Sequence, residues 1–149
     1  MMMFSINPAF DMLPSEEDIF DHIETDMGVK LYRGLDPKRA ELYRICSANQ
    51  VGITVMKSLG GGKLISEKHT PFAKPLTVPQ CIHYALSRPS VASVMTGAQT
   101  REEVLAAVGY FDLDESEKDY SQVIATMKND FKGNCVYCGH CHPCPVEID

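Results

Sequence analysis

Four cysteines recur at every third position in Cys135-Val-Tyr-Cys138-Gly-His-Cys141-His-Pro-Cys144-Pro145. Thiolates are soft ligands that select iron–sulfur clusters, zinc or copper(I). A structural zinc site commonly draws two Cys-x-x-Cys turns from separate parts of a chain, so that they reach the ion from opposite sides. Here the turns are fused, with no spacer to swing one pair around. One continuous run that closes on Cys-Pro suits the larger body of a [4Fe–4S] cubane. The bacterial ferredoxin run spaces its last cysteine by three residues and gives it to a second cluster. In this chain the gap is two, through Pro143, and no second run exists. Either all four cysteines hold one cluster, or three do and the fourth is a neighbour. His140 and His142 could substitute, but read more simply as exposed polar residues of a tight loop. Zinc and disulfide pairing are the alternatives.

Bulk properties narrow the setting. The chain has 149 residues, 44% hydrophobic and 23% charged, which is ordinary globular material. Its net charge of −6 offers no basic patch to displace counterions from phosphates, so no nucleic acid partner is expected. The acids from Glu16 to Asp26 run without a Lys or Arg and read as a solvated helix face. Met-Met-Met-Phe-Ser at the start carries neither a basic region nor a long apolar stretch, so no signal peptide is expected. No run approaches the roughly 18 apolar residues of a membrane span. A cytoplasmic, reducing location follows as the expectation, and it favours a metal over disulfides. Cys46 and Cys81, on apolar helix faces, read as buried small hydrophobes.

The elements that must carry these residues alternate. Met2 to Ile6 reads as a buried strand ended by Asn7-Pro8. Ser15 could cap a short helix bearing Ile19, Phe20 and Ile23. Asp36-Pro37 starts a helix with Leu42, Ile45 and Cys46 on one face. Val51 to Met56 is a continuous apolar strand. Thr77 with Gln80 forms a capping box ahead of Val78, Ile82, Ala85 and Leu86. Val91 to Met95 reads as a third buried strand. Thr100 with Glu103 forms a second capping box, and Val104, Leu105, Val108 and Phe111 should face inward behind it. A last helix carries Tyr120, Val123, Ile124 and Met127, and Gly133-Asn134 leads into the cysteines. The alternation predicts parallel β-α units. With its first strand at the first residue and nothing to cover that edge, the chain reads as though it begins partway through a fold.

Two loops follow strands at their carboxyl ends, where α/β proteins place ligands. Lys57-Ser-Leu-Gly60-Gly-Gly-Lys-Leu64 offers three glycines for close backbone approach, without the spacing of a Walker loop. Met95-Thr-Gly97-Ala-Gln99-Thr100 feeds a capped helix whose free N–H groups suit an anion. Together they suggest a phosphate-bearing cofactor.

Ile6-Asn7-Pro8, the run Gly52 to Leu64 and the run Val94-Met-Thr-Gly-Ala-Gln-Thr-Arg-Glu-Glu103 resemble the last three β-α units of aldo-keto reductases. The cysteine-rich end is similar to the ferredoxin-type extension of a subgroup of that family. The resemblance implies an α/β fold: a partial (β/α)8 TIM barrel over residues 1–112, followed over 113–149 by a helix and a Cys-rich, ferredoxin-like tail. It implies an oxidoreductase with a [4Fe–4S] cluster on Cys135, Cys138, Cys141 and Cys144. The family's catalytic Asp, Tyr, Lys and His belong to earlier strands, so no catalytic residue is assigned and the chain alone is expected to be inactive. His69 and His83 are not drafted into that role. For an NAD(P)H cofactor the resemblance implies Ser58, Leu59 and Gly60 along the pyrophosphate, and Gly97, Gln99 and Thr100 toward the adenosine phosphate. Departures are Met56 in place of a stacking aromatic, Ala106-Ala107 in place of a Glu-Asn pair, and Glu103, an acid near the position where the family has an arginine that binds the 2′-phosphate. Expected partners are a redox protein, a chain supplying the missing barrel half, or a second copy. The competing readings are a non-catalytic iron–sulfur electron-transfer module and a zinc-binding interaction domain.

Overall fold

The computed structural model describes residues 1–12 and 35–126. The helix expected at Ser15, residue Met127, the Gly133-Asn134 lead and the cysteine run all lie outside the described residues.

Three short parallel strands form the sheet: β1 (Met2–Ser5), β2 (Ile53–Met56) and β3 (Val91–Val94), in the spatial order β1-β2-β3. Met2 pairs with Ile53 and Phe4 with Val55, while Ile53 faces Val91 and Val55 faces Val94 across the other ladder. Alternation sets Met2, Phe4, Ile53 and Val55 on one side of the sheet, and a register shift at Ile53/Thr54, which skips Ala92, brings Val91 and Val94 to the same side. Ile53 and Val55 are fully buried there against Tyr43, Cys46, Tyr84 and Ala85. The opposite side carries Met3 and Ser93, both exposed, with Thr54 between them.

The helices are α1 (Pro8–Met12), α2 (Pro37–Ala48), α3 (Val78–Leu86), α4 (Arg101–Val108), α5 (Glu115–Lys118) and α6 (Ser121–Ile124). Their starts follow local chemistry. The Asp36 carboxylate accepts from the N–H groups of Lys38 and Arg39, with Pro37 at the first helical position. Thr77 with Gln80, and Thr100 with Glu103, form the expected reciprocal boxes. Asp114 with Glu117 forms a third, ahead of α5. A second apolar cluster joins Ala9, Leu64, Phe72, Leu76, Cys81 and Val123, and so seats α1, α3 and α6 around the Gly60–Ile65 turns. Among the described residues no helix is long and apolar enough to cross a membrane.

The described residues correct the expected fold. They do not form a partial (β/α)8 barrel, and no helical Cys-rich tail is among them; they build a small open α/β sheet of three strands. A barrel strand has a neighbour on each side and a packed interior, whereas β1 and β3 are both edges. Three further expectations change with it. The Val91 to Met95 strand is not buried, since Ala92 and Ser93 are exposed and Met95 is 56% exposed. On α2 the deeply buried residues are Tyr43 and Cys46, whereas Ile45 points outward. On α4 no residue is buried, and Val104, Leu105 and Val108, with Phe111 just beyond, face solvent instead of the core. Periodicity locates an apolar stripe but does not say what lies against it.

Candidate functional site

The two loops singled out from the sequence leave neighbouring strands at the same edge of the sheet. Met95 N–H donates to Val55 O, which keeps the ends of β2 and β3 side by side. Asn7 ties β1 to them: its Nδ2 donates to Lys57 O at 2.9 Å while its Oδ1 accepts from Phe10 N–H. Gly60, Gly61 and Gly62 follow at φ of 59°, 66° and 85°. At Gly60 a Cβ would lie 2.9 Å from Leu64 Cγ, so the turn needs glycine on both conformational and steric grounds.

The six residues expected along a nicotinamide cofactor divide into two groups. Ser58 is buried, and its Oγ has no hydrogen-bond partner, a capacity that a water or ligand oxygen would satisfy. Leu59 is half-buried beside it, and Gly60 is buried in the turn. At the other loop Gly97, Gln99 and Thr100 are exposed. There the anion position is already filled from within the chain. Glu103 Oε2 accepts from Gln99 N–H at 2.6 Å and from Thr100 N–H at 3.4 Å, and Thr100 Oγ1 accepts from Glu103 N–H. A ligand phosphate would have to displace a carboxylate from donors it already holds, against like charge. These residues therefore do not fit the adenosine-phosphate end of a nicotinamide cofactor.

Cys135, Cys138, Cys141 and Cys144 lie outside the described residues. The other two cysteines are accounted for. Cys46 is buried, with its Sγ 3.5 Å from Met2 Sδ. Cys81 is fully buried, and desolvation pushes its thiol up to about 12, which keeps it protonated and poor as a ligand. Among the described residues no group of three or more His, Cys, Asp or Glu side chains could hold a metal ion.

Two polar clusters escaped the sequence reading. Asp11 is fully buried on α1, yet both carboxylate oxygens are satisfied. Oδ1 accepts from Arg39 Nη1 and Tyr43 Oη, each at 2.8 Å, and Oδ2 accepts from Tyr84 Oη at 3.0 Å. Burial, reinforced by the Asp11 charge, holds both tyrosines well above the usual phenol range. Arg39 also donates to Ser5 O and stacks over Phe4, so one buried carboxylate joins β1, α1, α2 and α3. No sequence spacing signals this, because the partners are 28, 32 and 73 residues from Asp11. The second cluster fastens α5 to α3. His83 Nδ1 lies 3.1 Å from Tyr110 Oη and its Nε2 lies 3.7 Å from Glu115, while Lys118 reaches Glu115 and the Tyr110 ring. His83 is thus half-buried and structural. His69 stays exposed in its loop, with Nδ1 3.1 Å from Ser66 Oγ.

No protein-family model matches the chain, nor does any curated protein or solved structure.

Proposed function

We propose that this chain is an iron–sulfur redox protein, with one [4Fe–4S] cluster held by Cys135, Cys138, Cys141 and Cys144. We place it beside the oxidoreductases of the aldo-keto reductase type, in a form that lacks the catalytic Asp, Tyr, Lys and His and does not reduce carbonyls alone. The observation that carries the reading is the donor set. Four thiols stand at cluster spacing in one run, and the two remaining cysteines, Cys46 and Cys81, are withdrawn into the core. When bound, the cluster supplies a one-electron route to or from a partner. The chain's own contribution is a reduced, cytoplasmic thiolate site carried on a small α/β body, with a redox protein, a chain bearing the catalytic groups, or a second copy as its partner.

Glu103 favours the non-catalytic version of this reading, an electron-transfer module. Its carboxylate occupies the N–H groups that a cofactor phosphate would use. Only the Ser58 to Gly60 arm supports NAD(P)H.

Anaerobic purification followed by iron, acid-labile sulfide and zinc analysis tests the proposal. Iron and sulfide in equal amounts, about four of each per chain, with broad visible absorption, is the expected result. A colourless protein with one zinc would replace this reading with a metal-stabilised interaction domain. Carbonyl reduction with NADH or NADPH by the isolated chain would overturn the inactivity.

A further inference from the structure

We draw no further inference here: the strongest candidate, the outward-facing apolar patch of Val104, Leu105 and Val108 on α4 and Phe111 in the 3-10 turn Gly109–Asp112, carries nothing because nothing in the structure shows what covers it.

Discussion

Helices α3 and α4 begin alike and end in opposite environments. Each opens on a threonine capping box, and each carries a legible apolar stripe. Yet α3 buries Cys81, Ile82, Tyr84 and Ala85, while α4 buries nothing. The helix start is decided by groups within one turn of each other. The fate of the stripe is decided by what lies across from it. For α3 that is the sheet and the Asp11 cluster; among the described residues α4 lies chiefly against α3 and the 3-10 turn that follows it, with no side chain buried. The contrast separates a helix packed into the core from a peripheral one whose apolar side chains face outward among the described residues.

The largest effect should come from the polar lock on the α3 side. Asp11→Ala removes the acceptor shared by Arg39, Tyr43 and Tyr84, and leaves two buried phenols and a half-buried guanidinium without their carboxylate. A loss of about 3–5 kcal/mol in urea unfolding is expected. A loss below about 1 kcal/mol would mean that the cluster does not organise the core.

Next comes a matched pair. Ile82→Ala on α3 should cost about 2–4 kcal/mol, whereas Leu105→Ala on α4, measured in dilute protein, should change stability by less than about 0.5 kcal/mol. Equal losses at the two positions would erase the distinction between the helices.

Alkaline titration sharpens the same comparison. In the folded protein burial holds Tyr43, Tyr84 and Cys81 protonated beyond their ordinary range. The unfolded chain releases those protons first, Cys from about pH 8.5 and Tyr from about pH 10. The unfolded state then binds fewer protons than the native state, so stability is full below this window and falls as pH rises through it. Each group adds a slope of up to about 1.4 kcal/mol per pH unit. Tyr84→Phe should flatten the fall above pH ~10, while Tyr110→Phe, outside the Asp11 cluster, serves as the control. An unchanged slope in Tyr84→Phe would contradict the assignment.

The caps contribute less than the core positions. Thr77→Ala should cost about 1 kcal/mol, because α3 must be formed for the core to close. Thr100→Ala should cost about half of that, because little is packed on α4. A larger loss at Thr100 would show that α4 is integral to the fold.

What was legible in the sequence follows the same division. The starts at Asp36, Thr77 and Thr100, the three strands and their parallel order all rest on neighbours in the chain or on the β-α alternation. The glycine run after β2 was legible as a loop at a strand end, but its positive φ angles emerge only in the structure. The open sheet was not, since barrel closure depends on edges that no single β-α unit specifies. Nor was the direction of the α4 stripe, which a periodic pattern leaves undetermined. Asp11 gave no sign of its role, because a buried carboxylate is recognisable only beside its distant donors. At the candidate cofactor loop, Glu103 was visible as a capping residue and as an unfavourable charge. Its occupation of the Gln99 and Thr100 N–H groups is the physical form of both.

The central claim is that the cysteine run, with its two sister thiols locked in the core, holds one iron–sulfur cluster. Native mass spectrometry of the anaerobically purified full chain tests it most directly. The expected result is a chain carrying the added mass of one [4Fe–4S] cluster, lost together with the colour in Cys138→Ser and retained in Cys46→Ser. A chain carrying a single zinc, or no added mass after iron and sulfide reconstitution, would contradict it.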